Sequence, residues 1–305
     1  MPLLTFGELT ETFREQNELS KTAVCRGLCN VSTLCHYEND TRLPDRVLAD
    51  YILERLGINP KDCDYMLSDE LVQLYNTRQQ IINAQLDKDW NLVSTLLEKY
   101  KNYDLSNFTT LHKQFINLYK SYLLIYQTQE YAKAKELILS TLALTKCDFI
   151  TTTKKVALAS IEIELLINLF TATLKLKDHE AFASIYKLKD YLVNLTSKNY
   201  LANKYLPKVY YLIAIEQKNA FNLNNARKAV LAAKEILTNT YCINNLLEIL
   251  ELQVELENFM HIINEEELNE IKNMIITLKI IGMTPNEELI NEEGIKLWQN
   301  SINQK

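Results

Sequence analysis

The sequence predicts an all-α protein, and two observations carry that reading. Between Lys61 and Ile281 the chain has no glycine, and Pro207 is its only proline there. A stretch that long, rich in Leu, Lys, Glu, Ala and Ile and free of turn-demanding residues, is helical, and no alternating strand pattern competes with it. Short polar breaks also recur along it: LDKDW at 86–90, TQEY at 128–131, LKDHE at 176–180 and FNLNN at 221–225. Each separates a longer helix from a second one, which places second helices near Asp89, Glu130, Asp178, Leu223 and Asn264.

The remaining glycines and prolines punctuate the two ends, with Gly7, Gly27, Gly57, Pro2, Pro44 and Pro60 at one end and Gly282, Pro285 and Gly294 at the other. The first sixty residues read as four or five short helices. Thr5 and Glu8 have capping-box spacing, and Phe6, Leu9 and Phe13 form one apolar stripe behind them. Ser20 can cap a second helix carrying Ala23 and Val24, which Gly27 ends. Asn30 can cap a third, with Val31, Leu34 and Tyr37 facing inward and Asn39-Asp40 as its turn. Asp45 begins a fourth, with Leu48, Tyr51, Ile52 and Leu56 at helical spacing and Gly57 as its stop.

On the third helix, Ser32, Thr33, Cys35 and His36 occupy the face its hydrophobes leave free. A short helix, a tight turn and a second helix bearing small polar groups is the helix-turn-helix layout, in which such groups reach base edges.

Composition bounds the function. A chain of 305 residues exceeds the ~100–200 of one domain. Its 47% hydrophobic and 24% charged residues are ordinary for a folded protein, and no run approaches the ~20 apolar residues of a membrane span. MPLLTFGELTE has no basic leader or apolar h-region, so a cytoplasmic location away from membranes is expected. The six cysteines, Cys25, Cys29, Cys35, Cys63, Cys147 and Cys242, lack the density of a disulfide scaffold and suit reduced thiols. Cys25, Cys29, Cys35 and His36 contain no C-x-x-C pair, and no metal site or cofactor is expected. His36, His112, His179 and His261 are scattered, no glycine-rich phosphate loop exists, and an enzyme is not expected. A net charge of −6 excludes a uniformly basic coat, although a few Lys or Arg on one face suffice for phosphate contact.

Leu19 to Pro44, LSKTAVCRGLCNVSTLCHYENDTRLP, resembles the Xre-type helix-turn-helix of Gram-positive peptide-pheromone regulators of the Rgg, PlcR and PrgX kind. The match rests on Leu19-Ser20, Val31-Ser32-Thr33-Leu34, Glu38-Asn39 and Arg42-x-Pro44, with Arg14 and Glu38 where such domains place an internal ion pair. The chain departs from the pattern at Lys21, Cys35, His36 and Asp40. Residues 1–66 hold seven Lys plus Arg against eleven Asp plus Glu, so phosphate contact would fall to a face lined by Lys21, Arg26, Arg42 and Arg46.

YAKAKELILSTL, EAFASIYKLKDYL and NARKAVLAAKEIL resemble the second helices of degenerate tetratricopeptide repeats, at an interval of roughly forty to fifty residues. The expected architecture is an N-terminal helix-turn-helix bundle at 1–66 and a repeat domain at 67–305. The latter would be a right-handed superhelix of about five helix pairs with a capping helix at 285–305, its stripe formed by Leu289, Ile290, Ile295 and Trp298.

The resemblance implies a homodimer that binds a double-stranded DNA operator through Lys21, Ser32, Thr33, His36 and Arg42. It implies a short signalling peptide on the inner repeat face, held by asparagines that pair with peptide backbone: Asn83, Asn117, Asn168, Asn203 and Asn245, with Tyr210 beside them. The other reading is a protein-interaction scaffold whose helix-turn-helix no longer binds DNA.

Overall fold

The computed structural model describes residues 5–63, 69–103, 109–152, 156–195, 199–240, 245–260, 270–271, 273–275 and 278. All regular structure among them is helical. The expected capping helix at 285–305 and the second helix expected near Asn264 lie outside the described residues.

The N-terminal bundle comprises α1 (Phe6–Gln16), α2 (Lys21–Cys25), α3 (Val31–Glu38) and α4 (Arg46–Arg55). Its starts follow the side chains expected to cap them. Thr5 and Glu8 close a capping box on α1, Ser20 accepts from the Ala23 N–H, and Asp45 accepts from the Val47 N–H. Asn30 occupies the cap position of α3 without a side-chain bond. Val24, Leu34, Tyr37, Leu48, Tyr51, Ile52 and Leu56 form the core. Val31, expected inward, is 41% exposed: it shares a face with Leu34, three residues on, but stands at the first position of α3.

Asp40 explains one departure from the family pattern. It holds a left-handed φ of +53°, a conformation glycine adopts more easily. Its carboxylate accepts from the Gly7 N–H at 2.9 Å and from the Thr5 hydroxyl, which ties the end of α3 to the start of α1. Glycine could not make those bonds. Gly7 itself must lack a side chain, since a Cβ there would collide with the carbonyls of Tyr37 and Glu38.

Helix pairs follow: α5 (Asp69–Leu86) with α6 (Trp90–Lys101), α7 (Thr109–Tyr122) with α8 (Tyr131–Leu144), and α9 (Ser160–Lys175) with α10 (His179–Phe182). Next come α11 (Ile185–Val193), α12 (Tyr200–Asn219), α13 (Leu223–Thr240) and α14 (Leu246–Met260), of which α13 packs on α14. The expected second-helix starts at Asp89, Glu130, Asp178 and Leu223 coincide with α6, α8, α10 and α13. Before each lies a residue other than glycine at a left-handed φ: Lys88, Gln129, Lys177 and Phe221. One turn geometry is thus used four times without the glycine that would make it easiest. α12 continues through Pro207. The ring costs a backbone hydrogen bond, and its burial beside Leu206 and Val209 offsets that loss.

The chain divides into two compact units, Met1–Lys187 with Lys198–Leu201, and Leu188–Ser197 with Ala202–Lys305. In the first, the N-terminal bundle and the early repeats share a buried polar network. Tyr51 on α4 donates to Gln114 at 3.0 Å, Gln114 donates to the Thr145 hydroxyl at 2.9 Å, and Thr145 donates to Glu162 at 2.7 Å. Arg55 Nη2 also donates to Glu162, at 2.9 Å, with both side chains fully buried. In the second unit, Lys218 on α12 pairs with Glu255 on α14 at 2.8 Å, and Gln253 donates to Glu257 at 2.9 Å.

Candidate nucleic-acid interface and peptide surface

The outer face of α3 is set by what its inner face must bury. Leu34 and Tyr37 fix one side of the helix in the core, and Glu38 is clamped beneath it. The Arg14 Nε donates to Glu38 Oε1 at 2.6 Å, and the Lys21 ammonium meets Oε2 at 2.6 Å. The Arg14–Glu38 pair expected from the resemblance is therefore present, and Lys21 completes a three-charge cluster. The hydrogen bond to Glu38 raises the Lys21 pKa, outweighing a small loss of solvation, with a further contribution from Cys35. Lys21 is 35% exposed at its side chain and bound to Glu38, so a phosphate must compete for it.

On the opposite side of α3, Ser32 and His36 are exposed and Thr33 is half-buried. Cys35, expected on the same exposed face, is half-buried, with its sulfur 3.5 Å from the Lys21 ammonium. The His36 ring Nδ1 lies 3.0 Å from the Thr41 hydroxyl, which donates its proton to the His36 carbonyl at 3.1 Å. With its proton given to that carbonyl, the Thr41 oxygen is left to accept from the ring at Nδ1. Arg42 follows in the exposed turn after α3.

Two of the four cations expected to line a phosphate-binding face are engaged elsewhere. Arg26 donates to the carbonyls of Thr145 and Ala157, both at 3.0 Å, and pairs with Glu162 at 3.3 Å. Arg46 pairs with Asp50 at 2.8 Å and donates to the Pro60 carbonyl at 3.2 Å. Arg26 belongs to the attachment of the bundle, through contacts distant in sequence, whereas Arg46 is held within the N-terminal segment by an acid one turn along its own helix. Arg55 and Glu162, which anchor that attachment, were not singled out from the sequence. Their signal was charge set inside an apolar helix, Glu54 and Arg55 in YILERL and Glu162 and Glu164 in IEIELL.

The six residues expected to hold a peptide divide between the two units. Asn83 is exposed, and its carbonyl accepts from Gln79 at 2.8 Å. Asn117 is half-buried and donates to the Thr141 hydroxyl at 3.0 Å. Asn168 is fully buried and donates to the Ser121 hydroxyl at 2.9 Å, which leaves it no surface to offer a peptide. In the second unit Asn203 is exposed, while Tyr210 and Asn245 are half-buried, the latter at a φ of +63° just before α14.

An aromatic series runs along the first unit. Five residues of π-helix, Leu123–Gln127, end α7 and place the Tyr126 ring parallel to Trp90, at 5.3 Å between centroids. Beneath this series, Arg78 lies 3.9 Å over the Phe115 ring and donates to the Tyr100 hydroxyl at 3.0 Å. The Tyr100 hydroxyl is 2.5 Å from His112 Nδ1. With Arg78 donating into the phenol oxygen, the phenol O–H donates its hydrogen bond to the neutral imidazole. Burial, followed by the charge of Arg78, lowers the His112 pKa to about 4.

Neither a comparison with protein-family models nor one with curated protein sequences finds a match. Among solved structures, the chain is similar to Bacillus thuringiensis PlcR in complex with the peptide PapR7 and DNA. The TM-score is 0.57 with 11% identity, over 99% of each chain, and this likeness establishes the fold. The apo form of ComR from S. thermophilus matches at a TM-score of 0.49 and 17% identity, over 97% of this chain and 98% of that one.

Proposed function

We propose that this chain is a peptide-responsive transcription regulator of the Rgg, PlcR and PrgX kind. In this reading residues 1–66 form a DNA-reading head, residues 67–305 bind a short signalling peptide, and two copies pair on an operator in the cytoplasm. The observation that carries it is the outward face of α3: Ser32 and His36 exposed and Thr33 beside them, on a helix whose other side is fixed by Leu34, Tyr37 and the Arg14–Glu38–Lys21 cluster. A rigid helix with small polar groups outward is what major-groove readout requires. The fold shared with PlcR, a structure that holds peptide and DNA, supports the same assignment.

Specificity falls to Ser32, Thr33 and His36, and phosphate contact to Lys21 and Arg42. Each unit is proposed to offer peptide contacts of its own, Asn83 and Asn117 in the first and Asn203, Tyr210 and Asn245 in the second. A ligand bound there shifts the head by its differential affinity for two arrangements of the chain.

Selection of bound duplexes from a randomised pool at low salt tests the reading, together with mass spectrometry of peptide released from the purified protein. Enrichment of one sequence and recovery of one short peptide are expected. A pool that stays random overturns the assignment.

The engagement of Arg26, Arg46 and Lys21 by carboxylates favours a second reading, a protein-interaction scaffold whose helix-turn-helix has left DNA. Retention of a protein partner by a chain that shows no affinity for duplex at low salt distinguishes it.

A further inference from the structure

We propose that Cys25 and Cys29 form a modification site, a thiol pair that a small hydroperoxide converts to a disulfide across the turn between α2 and α3. α2 ends at Cys25, and the backbone then reverses through Gly27 at a φ of +68°. The Cys29 N–H donates to the Cys25 carbonyl at 3.2 Å, closing a single turn. Such a turn holds its end Cα atoms within the roughly 4.4–6.8 Å that a disulfide spans. The Cys25 thiol, at the end of α2, donates to the Thr22 carbonyl at 3.9 Å.

Their surroundings favour oxidation at this pair. Cys25 is buried against the bundle core, whereas Cys29 is half-buried and meets solvent, so a small oxidant has an entry. Arg55 donates to the Val24 carbonyl at 2.8 Å and the Arg26 carbonyl at 2.7 Å, which holds a fixed cation beside the pair. A cation next to a thiol favours the thiolate, the form that reacts. Consistent with this, the hydrogen bond from Cys29 lowers the Cys25 pKa to about 7 against its burial. Cys35, the other half-buried thiol nearby, lies against the Lys21 ammonium instead.

The chemistry balances with one oxidant. One sulfur attacks a peroxide oxygen, the O–O bond breaks, and an alcohol or water leaves with the thiol proton. The sulfenic acid formed is attacked by the second sulfur; the S–S bond forms, and the departing hydroxide takes the second thiol proton as water. Two electrons pass from the two thiols to the hydroperoxide. The bridge would lock the turn that orients α2 against α3. That turn also packs on the early repeats, where a Cβ on Gly27 would collide with the Thr145 backbone.

Tryptic mapping of the full chain after mild hydrogen peroxide and alkylation tests this directly. Cleavage after Lys21, Arg26 and Arg42 puts Cys25 in peptide 22–26 and both Cys29 and Cys35 in peptide 27–42. The expected product is the two peptides joined, in the native chain and in Cys35→Ser alike, and separated again by dithiothreitol. Since Cys29 is the only cysteine of 27–42 left in Cys35→Ser, persistence of the link there assigns the bond. Recovery of 22–26 with Cys25 alkylated after oxidation overturns the proposal, as does a link that disappears in Cys35→Ser.

Discussion

Arg55 grips both carboxylate oxygens of Glu162, with Nη2 at 2.9 Å from Oε1 and Nε at 3.4 Å from Oε2. The pair joins α4 of the N-terminal bundle to α9 of the repeats, and Glu162 accepts further bonds from Arg26, Thr145 and the Ala159 N–H. A buried carboxylate this fully bonded is expensive to disturb. Glu162→Gln leaves two guanidinium groups without a counter-charge and is expected to destabilise the first unit by about 3–5 kcal/mol, as read by urea titration. The Glu162 pKa is lowered: burial opposes ionisation, and the charges of Arg55 and Arg26 outweigh it. Its contribution is therefore complete above the unfolded carboxyl pKa of about 4.5 and fades as pH falls through the lower folded value.

His112 gives a sensitivity of the same sign at milder pH. Its folded pKa of about 4 lies below the usual imidazole value, so the folded chain holds it neutral while the unfolded chain takes a proton. Stability from this group is complete above about pH 6.5 and falls between there and pH 4, by about 2 kcal/mol between pH 7 and pH 5. Thermal melts across that range should show the decline in the native chain and a flatter profile in His112→Gln.

The sequence made the local structure legible and left the distant contacts hidden. Thr5, Ser20 and Asp45 cap the helices they were expected to cap, because a cap acts within three residues of itself. Asp89 and Asp178 open second helices for the same reason. Arg26 and Arg46 were read as cations of an exposed face: Arg26 finds its acid through the fold, at Glu162 far away in sequence, whereas Asp50, one turn along α4 from Arg46, was within local reach. Asn168 was legible in part, since the α9 sequence SIEIELLINLFTATLK is apolar on nearly all sides and a polar residue within it belongs to the core.

Phe221 is 87% exposed and holds a φ of +59°, a combination that burial does not repay. Phe221→Gly is expected to raise the stability of the second unit by about 0.5–1 kcal/mol, the relief of left-handed strain less the added freedom of the unfolded chain. Differential scanning calorimetry reads this as a higher melting temperature for that unit. A fall would assign Phe221 a packing role.

Arg42 is exposed after the proposed reading helix, and a phosphate contact through it predicts a particular change in salt response. Arg42→Ala should weaken binding to all duplexes alike and reduce the slope of log affinity against log salt by about 1. An unchanged slope in fluorescence anisotropy titrations removes Arg42 from the interface.

The outward face of α3 is the central claim, and footprinting of the selected duplex with Thr33→Ala and His36→Ala chains tests it most directly. Each substitution should cost about 1–3 kcal/mol of affinity for that duplex and erase protection at the bases it reads, with the melting temperature unchanged. Protection that stays the same at every base, with affinity intact in both variants, would contradict it.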